Sequence, residues 1–308
     1  MSALAFALLA LTLVGPVPAV LARASWTLRA PRAAIVLWQS IAVAAVLSAF
    51  SAGLAIASRL FVPGPDGRPT ATVTSEIAAL GWPLWLLYVA VFAVTLLIGA
   101  RLMVAAVQVA IATRRRRAHH RMVVDLLGNC PDRSSGLRVL HVDEPLAYCL
   151  PGVRSRVVLS EGTLSTLTDS ELVAILSHER AHLRARHDLV LEAFIAVHTA
   201  FPRFVRSGSA LTAVQLLVEL LADDAAVRSA GPTPLARALV ACASARTPSG
   251  ALAAGGPTTV IRVRRLCGGP NSAWLALAAY TAAAAILVLP TVAVAVPWLT
   301  ELHRLFFT

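Results

Sequence analysis

Ser177-His-Glu-Arg-Ala-His-Leu-Arg-Ala-Arg186 is the stretch around which the rest of this chain is read. It contains His178-Glu179-x-x-His182, two histidines four residues apart. On a helix, positions i and i+4 lie on one face, so both imidazoles can meet one metal ion. Glu179 follows the first histidine, where its carboxylate can reach a water held by that metal. The chemistry therefore needs a helix, and the preceding residues start one. In Leu167-Thr-Asp-Ser-Glu-Leu-Val-Ala-Ile-Leu176, Thr168 and Glu171 make a capping-box pattern. Leu172, Val173, Ile175, Leu176 and Leu183 then give the helix an apolar side.

A catalytic zinc commonly takes three protein ligands and keeps a further position open. Glu219, in Glu219-Leu-Leu-Ala-Asp223, is the expected third ligand. The surrounding stretch, Leu211 to Arg228, reads as a helix with apolar Leu217, Val218, Leu221 and Val227. Glu219 and Asp223 then share a face. Asp223 is expected to accept a hydrogen bond from a ligand histidine and so fix its tautomer. Asp224 competes for that role but falls one residue off the Glu219 face. The bland alternatives are an accidental pair of histidines and a solvated Glu219. The capped helix and the second acid-bearing helix together favour the metal.

Only 14% of the 308 residues are charged, against about 25% in ordinary soluble domains. Hydrophobic residues make up 57%, and mean hydropathy is +0.73. These values indicate a membrane protein, with the lipid bilayer as one partner. The net charge of +11 comes mostly from arginine. Such a charge can mark nucleic-acid binding. Here the arginines flank apolar runs, so membrane orientation explains them better and no direct nucleic-acid binding is expected. Cys130, Cys149, Cys242 and Cys267 show no CxxC pairing and read as reduced thiols.

Four spans are expected, at about 3–21, 33–57, 82–107 and 273–296. Each is long enough to cross a bilayer, at roughly 20 residues per crossing. The first could be a cleaved signal, with Val20-Leu-Ala22 as the cut site. No positive charge precedes it, however, and Arg23, Arg29 and Arg32 follow it, which suits a first span with its N-terminus outside. Pro-Gly-Pro-Asp-Gly, at 63–67, makes the next connector turn-rich. Arg114-Arg-Arg-Arg117 places the end of span three in the cytoplasm, with His119 and His120 read as part of a membrane-surface anchor. Arg262, Arg264 and Arg265 read as the basic cytoplasmic flank of span four.

The resulting expectation is a mainly α membrane protein in three parts. Residues 1–112 hold three transmembrane helices, 113–270 form a cytosolic α+β zinc domain, and 271–308 hold the fourth helix and a short outer tail. Both termini lie outside a bacterial plasma membrane. Within the polar middle, Leu137–Val142 and Arg154–Leu159 look like strands of a small antiparallel sheet. An edge strand there could bind a peptide by strand addition. Asp188 to Ala200 reads as an apolar helix on which His198 is structural. Pro202 and Gly208 break the chain, and another helix runs from Thr233-Pro234 to about Ala245.

These blocks resemble the BlaR/MecR-type signal-transducing membrane metallopeptidases, which are gluzincins. The run Ala147-Tyr-Cys-Leu-Pro-Gly-Val-Arg-Ser-Arg-Val-Val-Leu-Ser160 resembles the hairpin ahead of their motif. His178-Glu-Arg-Ala-His-Leu-Arg-Ala-Arg-His-Asp188 is similar to their motif helix, and Phe201-Pro202 and Glu219-Leu-Leu-Ala-Asp223 to later blocks. The resemblance implies zinc ligation by His178, His182 and Glu219, catalysis by Glu179, and a cytosolic transcriptional repressor as substrate. Two departures are visible. Ala222 stands where the family often has Cys, and only about a dozen residues follow the last span, where the antibiotic receptors carry a penicillin-binding domain.

The expected function is zinc-dependent endopeptidase activity in the membrane. Glu179 takes a proton from the metal's water and later passes it to the leaving amine. Tyr148, His187 and His198 are all available as oxyanion donors, and the sequence does not choose among them. Two alternatives stand beside the repressor-cleaving reading. One is an HtpX-type quality-control protease of membrane proteins. The other is a non-catalytic receptor or scaffold with a structural metal site, which would have no need of the base Glu179.

Overall fold

A computed structural model describes residues 2–60, 73–129, 136–152, 155–201, 208–243, 252–253, 258–268 and 271–292, with a few further positions near the C-terminus. The 63–67 segment, Cys130, Val153, Arg154 and Pro202 lie outside the described residues. The fold is mainly helical with one small sheet. Helices α1 (Ser2–Val14) and α2 (Pro16–Arg23) lead through a 3-10 turn at Ser25–Arg29 into α3 (Pro31–Ala57). Then come α4 (Val73–Leu80) and α5 (Trp82–Leu127). Strands β1 (Leu137–Leu140), β2 (Ala147–Leu150) and β3 (Arg156–Ser160) precede α6 (Glu161–Thr166), α7 (Asp169–Ala185), α8 (His187–Ala200), α9 (Gly208–Ala230) and α10 (Pro232–Ala241). The chain continues through β4 (Leu252–Ala253) and α11 (Thr259–Leu266) to α12 (Ala273–Pro290).

Among the described residues, four helical stretches are long and apolar enough to cross a membrane: Ala3–Arg23, Pro31–Ala57, Trp82–Leu127 and Ala273–Pro290. Their lipid-type surface is plain in the exposed Leu4, Leu11, Leu86, Leu97 and Leu289. Where α3 crosses α5, Gly53 lets the backbones approach, and a Cβ there would collide with the Thr95 side chain. The third stretch departs from expectation. Its helix does not stop near Val107 but runs on through Arg114–Arg117 to Leu127. Arginine is a good helix former and Arg114–Arg116 are exposed, so nothing there breaks the ladder.

The sheet also differs from the pairing read from the residues. Its order is β1-β3-β2-β4. The two strands first recognised, β1 and β3, lie parallel, with Leu137 opposite Val157. The antiparallel partner of β3 is β2, which pairs Ala147 with Leu159. Periodicity alone does not reveal β2, because all four of its residues are buried and show no alternation, although the hairpin resemblance of the 147–160 run spans it. Its other edge is not open in this structure, because β4 lies against it, Tyr148 opposite Ala253 and Cys149 opposite Leu252.

Two large clusters form the core. One joins Ile35, Leu37, Trp38 and Ile41 of α3 to Val214, Leu217, Val218 and Leu220 of α9, with Phe194 of α8 and Ala283 of α12. The other packs Ala174 and Ile175 of α7 against Ala226 of α9, Leu235 and Leu239 of α10, and Leu159 of β3. Helix α9 therefore has one end in the apolar helix cluster and the other beside the sheet.

Candidate metal centre

The motif helix is α7, and its start is built as its sequence suggests. The Thr168 backbone N–H donates to Glu171 Oε2 at 2.9 Å, one arm of a complete capping box. Ile175 is buried as expected, but Val173 is exposed. His178, Glu179 and His182 are all buried on the face turned toward α9 and β2. Helix α9 brings Glu219 opposite them.

His178 Nε2 and His182 Nε2 lie 3.2 Å apart. Glu219 stands 3.4 Å from the first through Oε2 and 3.6 Å from the second through Oε1. One donor atom from each of the three residues lies within 4.8 Å of the others. A tetrahedral zinc with bonds of about 2.0–2.1 Å separates its donor atoms by about 3.3 Å. The three gaps thus match the edges of a zinc coordination shell, and two imidazoles with a carboxylate are a zinc-type donor set. Both Glu179 carboxylate oxygens are buried without a well-formed hydrogen bond among the described residues, although the Cys149 thiol is close. Two orphaned oxygens beside the three donors are what a base awaiting a polar guest would present.

The supporting contacts are specific. Asp223 Oδ1 lies 3.0 Å from His178 Nδ1. Asp224 turns away and pairs with Arg265 at 2.8 Å. His187, considered above as an oxyanion donor, instead sets its Nδ1 3.0 Å from His182 Nδ1. Arg186 makes this possible. It links α7 to α8 in the left-handed region, at φ 52°, and the sharp turn folds His187 back onto the helix it follows. Tyr148 is buried with its hydroxyl 3.0 Å from His120 Nε2, which gives His120 a packing role outside the donor set.

Arg262 is the residue that the sequence reading misplaced. It was expected to flank the last span, yet its side chain is 1% exposed and enters the centre. Its Nε and Nη2 clamp Asp223 at 2.8 and 2.6 Å, and Nη1 reaches Glu219 Oε2 at 3.1 Å. Nη2 is also 3.4 Å from His178 Nε2. Burying a guanidinium so fully demands carboxylate partners, and Glu219 and Asp223 of α9 supply them.

The charges follow from this packing. Burial alone would lower the His178 pKa, but the Asp223 and Glu219 carboxylates raise it to about 9. Burial lowers His182 to about 3 and raises Glu179 to about 7. Asp223 and Glu219 stay below the usual carboxylate range despite burial, held by Arg262 and the histidines. Burial pushes Tyr148 up to about 12 and the Cys149 thiol well above its ordinary value. Cys149, Cys242 and Cys267 are unbridged thiols.

A helix-borne His-Glu-x-x-His faced by a carboxylate from a second helix defines the metallopeptidase class of sites. The family model for Peptidase family M48 matches residues 112–268, and the chain belongs to that family. Membership makes it a metallopeptidase, of a kind that typically uses zinc. No curated protein and no solved structure matches the chain.

Proposed function

We propose that the protein is a membrane-embedded, zinc-dependent endopeptidase. The convergence of His178, His182 and Glu219 at metal-shell separations carries this reading. The four long apolar helices support placement in a membrane, and the arginine-rich flanks favour a cytoplasmic domain with both termini outside. Bound zinc would polarise the scissile carbonyl and acidify a water.

The protein's own residues do the rest. His178, His182 and Glu219 would hold the ion, and Asp223 and His187 set the orientation of the two imidazoles. Glu179, buried and titrating near neutrality, takes the water's proton at its carboxylate and delivers it to the leaving nitrogen. Arg262 locks Glu219 and Asp223 in place. Exchanging Glu179→Gln should keep stoichiometric zinc, measured by atomic absorption, while lowering peptide hydrolysis by about 100-fold or more. A variant that cleaves as fast as the parent would overturn this mechanism.

The resemblance to BlaR/MecR-type proteins supports a cytosolic transcriptional repressor as substrate. A second reading, quality control of membrane proteins in the HtpX manner, is favoured by one observation. Helix α9, which carries Glu219, packs directly on α3, one of the apolar helices. Comparing new protein termini in cells carrying the parent or the Glu179→Gln form separates the two. One soluble regulator cut once supports the first, and many membrane clients support the second.

A further inference from the structure

The apolar helices leave a basic cleft at their ends. Ser25, Leu28 and Arg29 on the 3-10 turn face Ile261, Arg264 and Arg265 of α11 and Gly268 beyond it, enclosing about 410 Å³. Three candidate spans meet at this place. The first ends at Arg23, the second begins at Pro31 and the fourth begins at Ala273. The walls are pinned together. Arg265 Nε donates to Leu28 O at 2.6 Å, and the Ser272 N–H donates to Arg29 O at 2.9 Å.

Charge in the cleft is one-sided. Three arginines line it and no carboxylate does. Arg265 is neutralised by Asp224 at 2.8 Å and also reaches Asn271. Arg29 and Arg264 are exposed and have no ion-pair partner among the described residues. Arg29 also lines an adjoining cleft of about 300 Å³, beside Arg32, Tyr280 and the Asp224 carboxylate that pairs with Arg265. Leu28 and Ile261 line the cleft with these guanidinium groups, and the neighbouring elements carry further exposed apolar side chains. Val260 and Ile261 of α11 are 64% and 41% exposed, and Trp274 at the start of α12 is 75% exposed. Exposed aliphatic and tryptophan side chains on the same elements as Arg264 or next to them, at the ends of apolar helices, match the chemistry of a bilayer interface.

We propose that this cleft binds the phosphate headgroup of an anionic phospholipid, with Arg29 and Arg264 on the phosphate and Leu28 and Ile261 along the glycerol and upper acyl chain. The proposal rests on the membrane reading, whose own failure would be distinct, as release of the protein into buffer without detergent. The same α11 carries Arg262 inward to Asp223 and Glu219, so an occupant of the cleft would brace the helix that locks the metal-site acids.

The test uses the full chain in nanodiscs of equal phosphatidylglycerol and phosphatidylcholine, with retained lipid read by native mass spectrometry. The parent should retain phosphatidylglycerol preferentially. The Arg29→Gln/Arg264→Gln variant should lose about five-fold of that preference per arginine, corresponding to the roughly 1 kcal/mol a guanidinium contributes beside an anionic surface. The Arg29→Lys/Arg264→Lys variant should largely keep it, which guards against a folding defect. Equal retention of both lipids by the parent, or an unchanged preference in the glutamine variant, would refute the proposal. A parallel titration of detergent-solubilised protein with inorganic phosphate separates the sources. If phosphate alone raises the melting temperature of the parent and displaces bound lipid, the cleft is a free-anion site and the lipid assignment fails.

Discussion

At the scale of single residues, the centre is a set of charges that cannot be removed one at a time. Arg262 is buried against two carboxylates, and Arg262→Ala would strip the guanidinium from both, leaving Asp223 and Glu219 to share the His178 ring. The expected cost is about 3–5 kcal/mol, the usual penalty for breaking one side of a buried pair, and it should appear as a lower melting temperature of the solubilised protein. Arg262→Lys should recover only part of it, because an ammonium cannot make the two-pronged contact to Asp223.

Proton binding makes a second residue-level prediction, for the metal-free protein. His178 has its pKa raised from 6.5 to about 9 by its acidic neighbours. Its stabilising contribution is therefore complete below pH 6.5 and is lost as pH rises toward 9. Glu179, raised from 4.5 to about 7, acts in the same sense, because folding favours its protonated form and the advantage fades as pH rises through that interval. His182, lowered from 6.5 to about 3, opposes them only below pH 6.5. Chemical denaturation in chelator should thus show stability falling from pH 6.5 to pH 9, and His178→Gln should flatten that slope. Zinc must displace the His178 proton, so its apparent affinity should rise over the same interval.

At the scale of elements, the motif helix, its cap and the second acid-bearing helix were legible because their signals are local. An i, i+4 spacing or a Thr-x-x-Glu start needs no knowledge of the rest of the chain. Arg262 was illegible because its role depends on Asp223, 39 positions earlier in sequence. Arg264 and Arg265 beside it are surface and edge residues, so the trio read as one flank. The small sheet was legible but its pairing was not: β1 lies parallel to β3 because β2, too uniformly buried to show a period, takes the antiparallel place beside it.

A contact between elements also supports the centre from outside. Arg117 of α5 pairs with Asp188 at 3.0 Å and Glu192 at 2.7 Å on α8, next to His187. Asp188 is 2% exposed. Arg117→Ala should cost about 2 kcal/mol or more of stability and weaken zinc retention in a chelator competition, because the turn that holds His187 loses its tether.

For the whole molecule, the apolar helices and the catalytic half share a core. Val214, Leu217, Val218 and Leu220 of α9 are at most 2% exposed, in a cluster whose largest share comes from α3. Removing α3 would expose four aliphatic side chains at about 1.5–3 kcal/mol each, a sum comparable to the stability of an ordinary domain. A fragment of residues 113–270 should therefore aggregate and hold no stoichiometric zinc, whereas the full chain in detergent should hold one ion. A soluble, zinc-loaded fragment would contradict this account of the core.

The unbroken course of α5 has one last implication. Its 46 residues span about 69 Å, while a bilayer's hydrocarbon is only about 30 Å thick. A rod of that length behaves as a lever. When lipids thin or stretch, long helices answer by tilting, and the far end swings through a wider arc than the end fixed in lipid. Arg117 lies on the far part of that rod, so any tilt of α5 would be felt first at Asp188 and Glu192, the two α8 carboxylates it holds.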